Sequence, residues 1–214
     1  MVALLVGCFA FLAMMAGLFV PLESFFPARQ RRPETRAMAL GAFLFIANTL
    51  LMQALGVPVL EWVQGRGLML PRTVMLAVVV FVAADLVGYW VHRAMHRVPW
   101  LWRFHRLHHE ATELSWLDAW RQHPLDFVVH GVAVGLPGAL LGALLGASLS
   151  ELASVVVLRK AFTTFLHANL QLDFGLVLAS PAFHAVHHSA DPRLYDTNFA
   201  GTFPLWDVLF GTRA

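Results

Sequence analysis

The sequence predicts an all-α integral membrane protein of about four to five transmembrane or re-entrant helices carrying a cytoplasmic helical cap. Three observations predict it. Of the 214 residues, 58% are hydrophobic and 13% charged, against roughly 25% charged in an ordinary soluble domain. Long uncharged apolar runs recur along the first two thirds of the chain. The arginines gather in the segments between those runs. A water-soluble fold of this composition would expose large greasy patches, so a bilayer is the fitting solvent.

Met1 to Val20 is an uncharged run of twenty residues, long enough to span the hydrocarbon core. It lacks the basic segment that precedes the apolar stretch of a cleaved signal peptide, so it is read as a retained helix. The loop Pro21 to Arg36 sets Arg29, Arg31, Arg32 and Arg36 against Glu23 and Glu34. Ala37 to Leu55 is the second apolar helix, Gly56 to Arg72 a connector, and Val74 to Val91 the third helix. Arg93, Arg97, Arg103, Arg106 and Arg121 follow it. Positively charged loops stay in the cytoplasm, and three crossings put both arginine-rich stretches there with the N-terminus outside.

Phe127 to Gly146 and Ala147 to Phe165 read as two further helices joined by a tight Gly-Ala-Ser turn. Glu151, Arg159 and Lys160 interrupt the second of them. Charges at mid-membrane are expensive, which favours a short or partly re-entrant hairpin. Ser180 to Ala214 is polar and aromatic with Pro, Asp and Gly punctuation, the pattern of a cap outside the bilayer. The whole, 1–214, is one membrane-embedded domain: 1–72 holds the N-terminal helices and connector, and 73–214 the histidine-rich region.

A net charge of +2 leaves no nucleic-acid footprint. Cys8 is the single cysteine, so neither a disulfide framework nor a thiolate metal site is available. High Ala, Leu and Gly content with one lysine points to a bacterial origin, hence to an inner membrane.

Eleven histidines are present, and three clusters stand out. They are His92-Arg-Ala-Met-His96, His105-Arg-Leu-His108-His109 and His184-Ala-Val-His187-His188. Residues three or four apart share a helix face. Adjacent residues splay by about 100°, so neighbouring rings reach two different metals. Eight imidazoles exceed what one ion uses, and the cap is therefore expected to hold a dinuclear metal site. Asp85, Tyr89, His92 and His96 form one continuous stripe. An acid at that depth is a functional candidate, here for orienting ligand rings through hydrogen bonds. A lone histidine is more often a hydrogen-bonded packing residue than a ligand, and His130, without a partner at ligand spacing, fits that bland description.

Imidazole suits zinc, copper, iron and nickel, so ligand type leaves the metal open. The sequence has no HExxH, the pattern of a zinc protease. It also lacks the Glu and ExxH ligands of soluble di-iron bundles. A histidine-only iron pair is the remaining good fit. Two other classes stay open: a metal-binding or metal-transport membrane protein, and a zinc-dependent lipid hydrolase, which needs an open water-bearing zinc and no reductant.

The chain resembles the sterol desaturase and fatty acid hydroxylase superfamily of membrane-bound, histidine-box di-iron oxygenases. The likeness runs from Asp85 through the first two histidine clusters to Arg121-Gln-His123-Pro124. It continues with Phe165-Leu-His167-Ala-Asn169, the third cluster, Asp196-Thr-Asn198-Phe and Leu205-Trp206-Asp207 to Thr212. The resemblance implies two iron ions, for which zinc can substitute on purification, with O2 as co-substrate. It implies hydroxylation or desaturation of a C–H bond in a sterol-like or fatty acyl membrane lipid. Electrons would come from an external donor such as a ferredoxin or a cytochrome b5-like protein. Its ligands would be His92, His96, His105, His108, His109, His184, His187 and His188, completed by His123 and His167. Some relatives carry a further histidine where this chain has Thr163. Asp85, Tyr89, Asn169, Asp196 and Asn198 are the expected supporting or proton-handling residues, while Trp206 and Phe210 are expected to pack.

Overall fold

A bilayer core offers no water to peptide groups, so an apolar run that crosses it must close its own hydrogen bonds, and this chain does so as helices. The structure, a computed structural model, describes residues 2–30, 34–65, 74–111 and 114–214. In chain order the helices are α1 (Val2–Phe25), α2 (Thr35–Gln64), α3 (Val74–Arg97), α4 (Pro99–His109) and α5 (Pro124–His130). After these come α6 (Leu136–Leu144), α7 (Leu149–His167), α8 (Pro181–His187) and α9 (Leu205–Leu209). A π-helical turn, Gly131–Gly135, joins α5 to α6, and single 3-10 turns lie at Trp116–Trp120 and Pro192–Leu194. Among the described residues the only β pairing is an isolated bridge between Pro27 and Leu170.

Among the described residues, four helical stretches are long and apolar enough to cross a membrane: Val2–Phe25, Thr35–Trp62, Val74–Arg97 and Pro124–Leu144. Only 11% to 22% of the most apolar part of each is buried inside the protein. Side chains such as Phe9, Phe43 and Val78 therefore face outward, a surface suited to lipid rather than water.

Several boundaries differ from those expected. α1 continues through Pro21 to Phe25. α2 continues through Pro58 to Gln64 and absorbs the first part of the expected connector Gly56–Arg72. Proline costs that helix one hydrogen bond, but Val57, Val59, Leu60 and Trp62 keep the run apolar and so sustain it. The rest of that connector, from Arg66 on, and Arg31 and Arg32 of the first loop lie outside the described residues. α3 runs past Val91 to Arg97 and so carries His92 and His96 on regular helix.

The 19-residue α7 returns antiparallel to α5 and α6. Its charges have local causes. Glu151 closes a capping box: the Ser148 amide donates to its carboxylate at 2.8 Å, and the Ser148 hydroxyl accepts from the Glu151 amide at 3.3 Å. Lys160 donates to the Thr49 hydroxyl at 2.8 Å and sits 4.5 Å over the Phe45 ring, which shields a cation in an apolar setting. The turn before α7 needs Gly146, whose φ is +76°; beyond it the Ala147 amide donates to the Gly142 carbonyl at 3.0 Å.

Successive long helical stretches, with α5 and α6 counted as one, alternate in direction, so the C-termini of α1, α3 and α7 and the N-termini of α2 and α5 meet on one side. Asn169, just beyond α7, ties that side together: its side chain accepts from the Arg29 amide at 3.0 Å and donates to the Arg29 carbonyl at 2.9 Å. Glu23, near the end of α1, accepts from the Asn169 amide at 2.9 Å and the Trp116 amide at 2.8 Å. The arginine-bearing first loop thus lies on the same side as the end of α3. A cap of α4, α8, α9 and the 3-10 turns covers these helix ends.

An aromatic core of Phe11, Phe19, Phe45, Trp116 and Trp120 binds α1 and α2 to the first 3-10 turn, with Phe45 and Trp120 edge-to-face at 4.9 Å. The close approach depends on Gly41, where an added Cβ would lie 2.7 Å from the Leu117 carbonyl oxygen. Gly41→Val should therefore lower stability by about 1–3 kcal/mol, measured as a shift in denaturant midpoint in detergent. Gly7→Val, at a position with no atom within 4 Å, should leave that midpoint in place. Equal midpoints for the two variants would contradict the packing.

Candidate metal centre

The last two turns of α3 carry His92 and His96 on one face, with ring centroids 5.3 Å apart. Pro99 at the first position of α4 needs no backbone donor and restarts helix directly after Val98. His105, His108 and His109 consequently come back against α3. Ser180 caps α8, its hydroxyl accepting from the Phe183 amide at 3.3 Å. His184 and His187 then share a face, and His188 follows at the helix C-cap. His167 is the final residue of α7.

The rings form two groups. His92, His96, His105, His109 and His187 make one; His108, His167, His184 and His188 make the other. Within each, the candidate ligand atoms all lie within 4.8 Å of one another, and either set could hold a metal ion. The adjacent pairs divide between the groups, with His108 perpendicular to His109 and His187 perpendicular to His188, both at 89°.

Outer partners set the ring orientations. Nδ1 of His92 bonds the Phe199 carbonyl at 2.8 Å, Nδ1 of His187 the Thr197 carbonyl at 2.8 Å, and Nδ1 of His167 the Thr163 carbonyl at 2.9 Å. Nδ1 of His105 faces both Asp126 carboxylate oxygens, at 3.1 and 3.2 Å. Carbonyls and carboxylates only accept, so each Nδ1 must carry the proton and each Nε2 is left as a bare lone pair. The Nε2 atoms of the two groups converge. Nε2 of His109 lies 3.1 Å from Nε2 of both His96 and His187, and Nε2 of His167 lies 3.0 Å from Nε2 of both His108 and His184.

Burial keeps the imidazoles neutral. It is the main cause that pushes His105 down to about 3 and His167 to about 4, and that holds His108, His109, His184, His187 and His188 well below the usual histidine range. Neighbouring imidazoles add to the effect in all of these but His167, where the Thr163 carbonyl opposes it. Neutral imidazole is the form a metal binds. Nε2 of His92 and of His105, and both ring nitrogens of His188, are buried without a hydrogen-bond partner among the described residues. Each such orphan costs about 1–3 kcal/mol, and a cation at the meeting point of the lone pairs removes that cost. The residues therefore fit a metal.

Residues 77–212 match the fatty acid hydroxylase family. The chain belongs to that family. The matched stretch begins in α3 and takes in every histidine of the two groups. Among similar proteins, an alkylglycerol monooxygenase of Danio rerio is 31% identical over 137 residues, 63% of this chain and 29% of the relative. An ornithine lipid hydroxylase of Rhizobium tropici is 33% identical over 61% of this chain and 39% of its own length. A methylsterol monooxygenase of Aspergillus fumigatus is 29% identical over 64% of this chain and 46% of its own length. The chain thus spans between about a quarter and a half of the length of these relatives. No solved structure matches it.

Other residues singled out in this fatty acid hydroxylase chain sit as follows. His123 is not in either group. Its Nδ1 accepts from the Leu125 amide at 3.1 Å as the N-cap of α5, and its ring packs 4.8 Å from Phe104; Pro124 commits it to that capping position. The ligand role expected for it does not match this placement. His130 also lies outside the groups, its ring 6.2 Å from that of His92.

Asp85 and Tyr89, expected as supporting or proton-handling residues, bond to the C-terminal segment. Asp85 accepts from the Trp206 indole at 2.9 Å and the Phe203 amide at 3.2 Å. The Tyr89 hydroxyl pairs with that of Thr212 at 2.8 Å. Asn198 donates to the Phe183 carbonyl at 3.1 Å and accepts from the Ala214 amide at 3.0 Å, and Asn169 makes the loop contacts given above. Of the five supporting candidates, Asp196 alone reaches a ring of either group among the described residues, 3.6 Å from Nδ1 of His96. Phe210 stacks on Tyr89 at 5.3 Å, as a packing residue does.

Two acids were missed. Asp126 holds His105 from the first turn of α5, with no ligand spacing to reveal it. Asp207, fully buried, accepts from the amides of Phe199 and Ala200 at 2.8 and 2.9 Å and from the Thr212 hydroxyl at 2.6 Å. It thereby shapes the segment whose carbonyls hold His92 and His187.

Asp126→Ala should weaken iron binding about 10–100-fold in chelator competition, whereas His123→Ala should leave the metal affinity within about twofold. A larger loss for His123→Ala than for Asp126→Ala would contradict the assignment.

Proposed function

We propose that this chain hydroxylates a membrane lipid at an unactivated C–H bond, using O2 and two iron ions bound by the nine grouped histidines at a cytoplasmic cap. The observation that carries the proposal is the convergence of neutral imidazole lone pairs into two adjacent sets within a chain of the fatty acid hydroxylase family.

One group offers five nitrogens, one more than a tetrahedral zinc site takes, and the other offers four. Iron bound there supplies the activation of dioxygen and the removal of hydrogen from carbon. The chain's own residues present uncharged ligands, hold them by outer carbonyls and by Asp126, and pack Phe199 and Trp102 against the rings.

The relatives' names support a lipid substrate and favour hydroxylation over desaturation, because each is called a monooxygenase or a hydroxylase. Apolar outward faces on the spans are consistent with a substrate that arrives from within the bilayer. Arginines on the histidine side, Arg29, Arg93, Arg97, Arg103 and Arg106, support a cytoplasmic orientation. Electrons come from a separate donor protein.

The test is a lipid comparison between wild type and His188→Ala under labelled dioxygen. Wild type should add one labelled oxygen to a single lipid class, and the variant should lose at least about 100-fold of that product. Treatment with an iron chelator should abolish the product, and iron with reductant, not zinc, should restore it. Lipid turnover with zinc alone, or unchanged lipids in the variant, would overturn the proposal.

A further inference from the structure

We propose that Trp102 and the arginines beside it form the port where an acidic one-electron carrier protein docks and reduces the metal centre. This rests on the oxygenase function proposed above. Trp102 is 36% exposed, yet its ring lies 5.0 Å from His96, 5.5 Å from His109 and 6.3 Å from His105. All three belong to the five-histidine group. Among the described residues no other exposed aromatic side chain touches a ring of either group. One indole therefore connects the protein surface to the edge of the ligand set.

The neighbouring tryptophan is placed differently. Trp100 is two residues earlier on α4, about 200° around the helix. There it meets Phe104 edge-to-face at 5.3 Å, an apolar face suited to the membrane interface. Trp102 consequently points away from that face, toward water.

Charge selects the partner. Arg106 is one turn from Trp102 and exposed, and Arg103, next in sequence, is exposed with its guanidinium 5.8 Å over the Phe104 ring; neither has a carboxylate within ion-pair distance among the described residues. Arg97, on the adjoining end of α3, is also exposed and bridges to Asp196 at 3.2 Å, where Asp196 lies beside His96. Among the described residues of this stretch Glu110, the exposed C-cap of α4, is the acid that follows Arg106. The balance is positive, and an acidic surface is steered to it and held.

The reaction defines what must arrive: RH + O2 + 2e⁻ + 2H⁺ → ROH + H2O. Two electrons are needed per turnover, so two molecules of a one-electron carrier are each oxidised once, O2 is reduced, and the C–H carbon is oxidised. Protons come from water at the cap.

The full iron-loaded chain, in nanodiscs of neutral lipid, is titrated with a plant-type [2Fe–2S] ferredoxin as the probe. The double variant Arg103→Glu with Arg106→Glu should weaken ferredoxin binding about tenfold or more, and the effect should shrink as salt is raised. Trp102→Leu should bind ferredoxin within about twofold of wild type but accept its electron about tenfold more slowly in stopped flow, and Trp102→Phe should recover most of that rate. Iron content is measured in every variant, so a folding or loading defect is read separately. Hydrogen peroxide bypasses the carrier, since RH + H2O2 → ROH + H2O needs no added electrons, and the arginine variant should keep its peroxide-driven product within about twofold.

Wild-type ferredoxin affinity in the arginine variant, or a wild-type reduction rate in iron-replete Trp102→Leu, overturns the port. So does a charge reversal that alters only the association with nanodiscs containing anionic lipid, because the arginines then serve headgroups. If the wild type makes no hydroxylated lipid with either ferredoxin or peroxide while binding and reduction respond as expected, the oxygenase reading fails and the port stands.

Discussion

The structure depends on the need to satisfy nine buried, uncharged imidazoles whose lone pairs face one another. Four elements meet to deliver them: the last turns of α3, all of α4, the end of α7, and α8 with its C-cap. Such a constellation is unfavourable by itself, because His92, His167 and His187 commit their Nδ1 protons to outer carbonyls and His105 its own to Asp126, which leaves their inner Nε2 atoms without a proton to share. A cation bound by those nitrogens would offset that cost and so stabilise the folded arrangement. The bilayer helices set the stage by holding the ends of α3 and α7 at a fixed depth, and the cap then closes over them.

The outer partners explain why the cap is built from so many small devices. Asp207 gathers the amides of Phe199 and Ala200, and Phe199 in turn supplies the carbonyl that fixes His92. Asp85 and Tyr89 pin the C-terminal segment to α3 through Trp206, Phe203 and Thr212. Asp196 and Asn198 take positive φ values of 59° and 56°, a region that non-glycine residues seldom adopt. Both lie in the turn that presents the Thr197 carbonyl to His187. The backbone strain sits where ring orientation is decided.

Much of this was legible in the sequence, because helix periodicity is local information. The division of His108 from His109 and of His187 from His188 follows from the angle between adjacent residues on a helix. The stripe of Asp85, Tyr89, His92 and His96 was likewise readable as one face. The partners of that face were not, since Trp206 and Thr212 are more than 100 residues away in sequence. His123 lies outside both groups for a related reason: the proline after it makes an N-cap, which no metal-ligand spacing reports. Asp126 escaped notice because its partner His105 lies across a loop. The extension of α2 through Pro58 shows a continuous apolar run outweighing a single unfavourable residue.

Anomalous diffraction at the iron edge, from crystals of protein purified with iron under anaerobic conditions, tests the central claim most directly. The account predicts two anomalous peaks, one among His92, His96, His105, His109 and His187, the other among His108, His167, His184 and His188. It predicts nitrogen ligands at about 2.1 Å from each peak. A single peak, or a peak coordinated by His123 in place of one of these nine, would contradict it.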